Sequence, residues 1–560
     1  MNAPAKLRTG GEILVDALKI HGVDTAFCVP GESFLAVLDA LYGARDAVRL
    51  IVCRQDGGAA FMAEAYGKVT GRPGICFVTR GPGATNASIG VHTAHQDSTP
   101  VILFIGQVSA EFAEREAFQE IDFRRMYGQM AKWVAQIDRA DRIPELVSRA
   151  FYTAMSGRPG PVVLALPEDM LAGTAQTADT APYRVVQAHP GGADMKRLRE
   201  LLAAAERPIV ILGGTIWDRQ ACDDVRRFAE ASGLPVACAW RYQDLFDNRH
   251  PQYIGDVGLG INPKLVRRIE DADVLLVVGP RLGEMTTGGY TLLEPPRPRQ
   301  TLIHVHAGAE ELGRVYQAEL PINASMKAFA AALARLEPLD GRAWRAAVVQ
   351  ARQEYLDYNA KRALPGDLDL WEVMRAFRER VPEDTIIAIG AGNFSAWAGR
   401  FFPYRSFRTQ VATASGAMGY GVPAGVAAKV AQPDRTVVSF NGDGDFLMNG
   451  QELATAVQYA LPVLFLVFNN GLYGTIRMHQ EREYPGRVWG TSLVNPDFAA
   501  LARAYGAHGE TVRKTAEFAP ALERALACGR PALIDLVYDP QIITPNTTLD
   551  AIRAQAIGSR

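Results

Sequence analysis

The chain carries no excess of either charge: 59 Lys and Arg stand against 61 Asp and Glu in 560 residues. That balance leaves out the electrostatic footprint of a nucleic-acid binder or an anionic-membrane binder, and neither partner is expected. No uncharged apolar run approaches the roughly 20 residues of a bilayer span; the nearest, Leu461 to Phe468, has the length of a strand. The start, MNAPAKLRTGGEILVDALKIHG, lacks the apolar stretch of a secretory leader and passes directly into an amphipathic helical pattern. Cys28, Cys53, Cys76, Cys222, Cys238 and Cys528 form no CxxC pair, and several sit inside apolar runs. They are expected as buried, reduced thiols of a cytoplasmic protein. No internal repeat is evident by residue identity.

What is present is an ordinary globular composition, 48% hydrophobic and 21% charged, over a length too great for one core. Three domains are predicted, at 1–172, 193–336 and 367–560. Each alternates apolar strand-length runs with helical spacing, which predicts an α/β fold of three doubly wound parallel sheets. The first and third share a similar rhythm of strands and helices. A stretch rich in small residues, Pro and Gly, AGTAQTADTAPYRVVQAHPGG, links the first two domains. A polar helical segment, RAWRAAVVQARQEYLDYNAKRA, bridges to the third. In the central domain Gly255 to Gly260 lacks GxGxxG spacing after a strand and reads as a turn.

The most informative stretch is Val437 to Gly474, VVSFNGDGDFLMNGQELATAVQYALPVLFLVFNNGLYG. Val437 to Phe440 and Leu461 to Phe468 are apolar without alternation, as strands covered on both faces are. Between them, Gly450 to Ala460 has helical spacing, so the unit is βαβ with a right-handed crossover. Both following turns then emerge at the carboxyl edge, where open α/β sheets bind ligands. The first turn offers Gly442-Asp443-Gly444-Asp445 and the second Asn469-Asn470-Gly471. A carboxylate beside a carboxamide suits a hard cation such as Mg²⁺ or Ca²⁺, and Mg²⁺ commonly keeps phosphate oxygens in its shell. Glycines let backbone N–H groups approach that phosphate.

This GDG, followed after Phe468 by NN, resembles the motif of thiamin-diphosphate (ThDP) enzymes, and GYGVPAG and NPDFAALARAYG resemble their acetolactate synthase branch. The similarity runs from about Gly11 to about Val537. It implies that Asp443, Asn470 and the Leu472 carbonyl hold Mg²⁺, and that Gly442, Gly444, Asp445, Gly392, Asn393, Phe394 and Gly474 line the diphosphate. In QVATASGAMGYGVPAG the Gly416 carbonyl would meet the 4′-amino group, and Met418 would wedge beneath the cofactor. Thr79, Pro82 and Asn86, in FVTRGPGATNAS, resemble the wall beside the pyrimidine. Glu32 and Ser33, in VPGES, occupy the turn near the thiazolium in relatives, and Gly31, Ser33 and Gln119, the last in FQE, fall on the substrate side. His92 and His95 read as hydrogen-bonded, non-catalytic residues. FAD in the central domain stays open, since acetolactate synthases hold it there and several relatives do not.

In the family a first-domain glutamate activates the cofactor by hydrogen-bonding the pyrimidine. CRQDGGAAFMAEAYGKVTGRPG aligns with that region and places Asp56 there. Aspartate is shorter by about 1.5 Å, one C–C bond, which leaves three readings: Asp56 does the same job through a shifted backbone or a water, the chain is a slow or altered member, or Asp56 is vestigial. Glu64 is the nearest glutamate, but two helical turns carry it about 12 Å away, and it is expected to serve the surface or helix packing. The region GQVSAEFAEREAFQEID contains no histidine, whereas decarboxylases that release aldehydes carry a His-His pair there. The expectation is therefore a carboligase, a transferase that decarboxylates a 2-keto acid such as pyruvate and ligates the product to a second carbonyl. His479 stands where acetolactate synthases place the Trp linked to acceptor choice, and with Ile476 it is expected to set that choice. Two alternatives remain: a ThDP-dependent lyase or decarboxylase of another activated acyl, diketone or CoA substrate, or a weakly active ThDP-binding protein. The resemblance also implies a homodimer or homotetramer with active sites at the subunit interface.

Overall fold

The structure, a computed structural model, describes residues 6–558. It contains three six-stranded parallel sheets, each flanked by helices. The first runs, in chain order, through Thr25–Cys28, Arg49–Val52, Gly74–Val78, Val101–Gln107, Trp133–Gln136 and Pro161–Pro167. Their spatial order is 2-1-3-4-6-5. The central sheet, Pro208–Leu212, Val236–Ala239, Tyr253–Val257, Val274–Val278, Thr301–His306 and Leu320–Asn323, has the order 3-2-1-4-5-6 found in dinucleotide-binding folds. The third, Ile386–Ile389, Gln410–Ala412, Val437–Gly442, Val463–Asn469, His508–Val512 and Ala532–Val537, repeats the order of the first. The similar rhythm of those two domains thus has a topological basis.

The chain packs as two compact units. One contains residues up to 186 together with 426–431 and 449–459; the other contains 187–425, 432–448 and 460 onward, and so holds both the central and the third sheet. Interior strands such as Val101–Gln107 and Val274–Val278 are buried along their whole length, as continuous apolar runs require. Five strands had no such signature in the sequence: Trp133–Gln136, Tyr253–Val257, Leu320–Asn323, Gln410–Ala412 and His508–Val512. All five are edge strands of their sheets. An edge strand has a neighbour on one side only and needs no long apolar run. A sixth, Ala532–Val537, lies inside its sheet but is interrupted by Asp535.

Two local expectations change. Gly255, Asp256 and Val257 are the end of a strand, and only Gly258 onward forms the turn. After Gly442 the chain turns directly into a helix, Asp443–Asn449, which breaks before a second helix, Glu452–Gln458. The predicted helix start near Gly450 is therefore the join between two short helices. Glu64 does not serve the surface: it is fully buried, paired with Lys68 at 2.9 Å and accepting from the Thr99 hydroxyl at 2.6 Å. The six cysteines are unpaired thiols, four buried and two half-buried. Among the described residues no helix is long and apolar enough to cross a membrane.

Candidate active site

In the third sheet, Val437–Gly442 and Val463–Asn469 are adjacent and parallel, with Gly442 opposite Phe468. Asp443 and the turn Asn470 to Leu472 therefore leave neighbouring strand ends together. The Asp443 carboxylate is 3% exposed and accepts three hydrogen bonds: from the Gly444 N–H at 2.9 Å on Oδ1, and from the Gly471 N–H and the Asn495 side chain, each at 2.8 Å, on Oδ2. Burial pushes its carboxyl up, and those donors pull it back toward the charged form. Asp443, Asn470 and Leu472 line one cavity of about 680 Å³. A carboxylate, a carboxamide and a backbone carbonyl are the oxygen donors a hard divalent cation takes. Asn495 escaped the sequence reading because a residue in a loop carries no periodic signal; its only sign was the NPDF block.

Glycine shapes the same cavity. A Cβ on Gly444 would lie 2.5 Å from the Tyr473 ring, one on Gly442 2.8 Å from Phe394, and one on Gly474 2.9 Å from Ile543. Gly392, Asn393, Gly416 and Met418 line the cavity too. Gly416 sits at φ +69°, where side chains are strained. Met418 is half-buried on the wall, which separates it from a core gap-filler. Asn393 is held by Thr475, whose hydroxyl donates to its Oδ1 at 3.0 Å and accepts from its N–H at 3.1 Å. The Phe394 ring is largely core, stacked on Phe468 at 6.0 Å.

Asp445, expected to line the diphosphate, lines the same cavity and also holds its loops together. Its Oδ1 accepts from the N–H groups of Ala391 at 3.1 Å and Gly419 at 2.8 Å, so it ties together the three loops that carry Gly392, Met418 and Gly444. Burial pushes its carboxyl up to about 7. At the mouth of the cavity, Ile476 and His479 share the helix Gly474–Glu483. Nδ1 of His479 accepts from Arg482 at 2.7 Å. Arg482, not singled out in the sequence, also lines the cavity.

A second group of residues gathers at the carboxyl edge of the first sheet. Asp56 opens the helix Asp56–Thr70, with Gln55 as N-cap accepting from the Gly58 N–H at 2.8 Å. The Asp56 carboxylate is 9% exposed. Its Oδ2 receives the Asn86 amide at 3.4 Å, while its buried Oδ1 has no partner among the described residues. A Cβ on Gly83 would stand 3.0 Å from that Oδ1, so glycine keeps the approach open. Burial raises the Asp56 carboxyl.

Pro82 starts the helix Pro82–Asp97, which carries Asn86. Thr79 Oγ1 and Ser33 Oγ are 2.9 Å apart, and a Cβ on Gly31 would lie 2.6 Å from Thr79. Gln119, at φ +64°, packs on Gly81. Arg80 joins these pieces: it pairs with Glu32 and Glu168, each at 3.2 Å, and donates to the Phe118 carbonyl at 3.1 Å. His92 is exposed and His95 half-buried on the same helix as Asn86.

These residues fit ThDP. The glycine-shaped cavity beside Asp443 suits a metal-bound diphosphate, and the partnerless Oδ1 of Asp56 leaves that carboxyl open to a hydrogen bond with a pyrimidine ring nitrogen. Family models match all three sheet-bearing segments: the N-terminal TPP binding domain of thiamine pyrophosphate enzymes over residues 8–126, their central domain over 195–333, and their C-terminal TPP binding domain over 390–536. The probable acetolactate synthase large subunit of Methanocaldococcus jannaschii is 33% identical, over 96% of this chain and 93% of its own length. The isozyme 2 large subunit of acetolactate synthase from Escherichia coli K12 is 31% identical, over 95% of each chain. The acetolactate synthase large subunit of Corynebacterium glutamicum is 31% identical, over 96% of this chain and 87% of its own. The chain belongs to the thiamine pyrophosphate enzymes, in their acetolactate synthase-like branch.

Proposed function

We propose that this chain is a ThDP- and Mg²⁺-dependent carboligase that decarboxylates a 2-keto acid such as pyruvate and joins the product to a second 2-keto acid, as an acetolactate synthase does. The observation that carries the reading is the Asp443 carboxylate, held by Gly471 and Asn495 in the cavity it shares with Asn470 and Leu472. The near full-length likeness to acetolactate synthase large subunits supports the choice of reaction. When bound, ThDP supplies the nucleophilic carbon and the electron sink. The chain's own work is to hold, orient and move protons.

In this reading Asp443, the Asn470 side chain and the Leu472 carbonyl hold the metal. Gly442, Gly444, Gly392 and Asn393 give the diphosphate room and backbone donors. Met418 and the Gly416 carbonyl set the pose of the pyrimidine. Asp56 exchanges a proton with the pyrimidine nitrogen through its open Oδ1, and burial keeps its neutral form within reach. Gly31, Ser33, Gln119, Ile476 and His479 bound the substrate. The protein is a cytoplasmic homodimer or homotetramer whose active sites lie at the subunit interface.

The test is direct. With ThDP, Mg²⁺ and pyruvate, the protein is expected to release CO₂ and form acetolactate, and the Asp443→Ala protein to do neither. Pyruvate consumption that yields acetaldehyde as the main product would replace carboligation with simple decarboxylation.

A further inference from the structure

Glu452 is completely buried, yet none of the roles above uses it. A carboxylate removed from water costs free energy unless its oxygens are satisfied, so its partners show what it does. Oε1 accepts from the backbone N–H groups of Arg54 and Gln55, both at 3.0 Å. Oε2 accepts from the Arg54 N–H at 3.2 Å and from the Thr455 hydroxyl at 2.6 Å. Arg54 and Gln55 immediately precede Asp56 and form the turn between the strand Arg49–Val52 and the helix Asp56–Thr70. The same packed unit adds two more ties to that strand. The Tyr459 hydroxyl accepts from the Val52 N–H at 2.8 Å, and Arg49 donates to the Val430 carbonyl at 2.7 Å.

The glycine two residues after Asp56 belongs to this arrangement. A Cβ on Gly58 would fall 2.6 Å from Glu452 Oε1, so glycine at this position makes room for a buried carboxylate. Charge-assisted bonds to two successive N–H groups fix a backbone more firmly than neutral ones. Asp56 has only two side-chain torsions. Once the Asn86 amide holds Oδ2, the place of Oδ1 follows from where the backbone puts the Cα.

We propose that Glu452 is a positioning residue for Asp56: its carboxylate grips the Arg54 and Gln55 N–H groups and thereby sets the reach of the Asp56 carboxylate toward the cofactor. This rests on the reading of Asp56 as the proton-exchanging group. It also identifies what compensates for the short aspartate side chain. The backbone beneath it is anchored by a buried charge nearly 400 positions later in the sequence.

Two measurements on the full-length protein test it. The first needs no cofactor: amide hydrogen exchange at Arg54 and Gln55 is expected to speed up at least tenfold in Glu452→Ala and to stay near the parent rate in Glu452→Gln, whose amide oxygen can accept the same bonds. Unchanged protection in Glu452→Ala overturns the inference. The second follows C2 hydrogen–deuterium exchange of bound ThDP by NMR. Glu452→Ala is expected to slow it about 10- to 100-fold, the scale of a misplaced catalytic group, with ThDP affinity by calorimetry within about threefold of the parent and Glu452→Gln restoring the rate.

Adding Glu452→Ala to Asp56→Asn is expected to slow C2 exchange no further, because two residues acting through one group are not additive. If Glu452→Ala does not fold, Glu452→Asp, which keeps the charge but pulls it back, reads the same loss. Slow exchange in Asp56→Asn beside parental exchange in folded Glu452→Ala or Glu452→Asp overturns the positioning role alone. Parental exchange in Asp56→Asn overturns the Asp56 reading itself.

Discussion

The Asn495 side chain donates both to Asp443 Oδ2 at 2.8 Å and to Asn469 Oδ1 at 2.9 Å. One amide thus orients the acidic ligand candidate and fastens it to the end of the neighbouring strand. Removing a group that orients a metal ligand typically weakens metal binding 10- to 100-fold. Asn495→Ala is expected to raise the Mg²⁺ concentration needed for ThDP binding by about that factor, measured by calorimetry across a Mg²⁺ series. Asp443→Ala should abolish the binding while circular dichroism shows the fold intact, and chelation of the parent should reproduce the loss. Parental Mg²⁺-dependent ThDP binding in Asp443→Ala would move the metal elsewhere.

Asp56 offers a sharper contrast. Asp56→Asn should suppress C2 exchange of bound ThDP by two orders of magnitude or more, on the scale of general acid–base contributions. Asp56→Glu should keep or raise the rate, because it lengthens the reach. Equal exchange in parent and Asp56→Asn would leave Oδ1 without the proposed work.

His479 lines the mouth of the cavity with Ile476 56% exposed beside it, and Arg482 holds its ring. His479→Trp is expected to change the ratio of products from mixed pyruvate and 2-ketobutyrate by severalfold, about 1 kcal/mol in relative acceptor barriers, with ThDP affinity unmoved. Identical product ratios would remove this helix from acceptor choice.

Asp244 makes a prediction about stability alone. Its buried carboxylate accepts from the Thr409 and Gln410 N–H groups at 3.0 and 3.2 Å, and burial pushes its carboxyl up to about 6. A carboxyl raised in the folded state binds protons more tightly there than in the unfolded chain. Its stabilising share is therefore complete below about pH 4 and is lost as pH rises through about 6. Moving from the ordinary carboxylate value to about 6 amounts to roughly 3 kcal/mol. Asp244→Asn keeps an acceptor for both N–H groups and carries no charge. It should melt higher than the parent at pH 8 and show less decline between pH 4 and 6 in scanning calorimetry.

Glu481 is fully buried and receives Arg553 Nε at 2.7 Å and Arg477 Nε at 3.2 Å, which hold its carboxyl down at about 2. Arg553 lies on the helix Leu549–Gly558, so the pair fastens that helix to the one carrying Ile476 and His479. Arg553→Ala should cost about 1–3 kcal/mol, the scale of a buried charge stripped of a partner. Limited proteolysis near residue 549 should accelerate. Parental resistance would show that the helix is held by apolar packing.

Sequence and structure agree where local chemistry is strong. The Gly442 to Asp445 turn and the Asn469 to Gly471 turn were legible because two apolar runs bracketed them, and the family motif supplied their roles. Five edge strands, unlike Arg49–Val52, were silent because a strand with a neighbour on one side only needs no long apolar run. Asn495, Arg80 and Glu452 were missed for a different reason: each acts on a residue distant in sequence, and no spacing rule links Glu452 to Arg54. Asp445 was placed at the cavity by its motif, but its ties to the Ala391 and Gly419 N–H groups depend on loops that periodicity does not describe. Glu64 was left between surface and packing because a helix position alone does not reveal that Lys68 and Thr99 satisfy a buried charge.

The segment 449–459 belongs to the same compact unit as the first sheet, although it lies far along the chain. On a ribosome the first sheet would emerge long before the piece that grips its Arg54 to Asp56 turn. At about 5–20 residues per second, roughly 270 further residues must be made, an interval on the order of 15–55 seconds. During that time the turn has backbone N–H groups awaiting Glu452. Nascent chains stalled before residue 449 should carry a first sheet whose Arg54 to Asp56 turn is still soft, and the turn should harden only as translation passes residue 459.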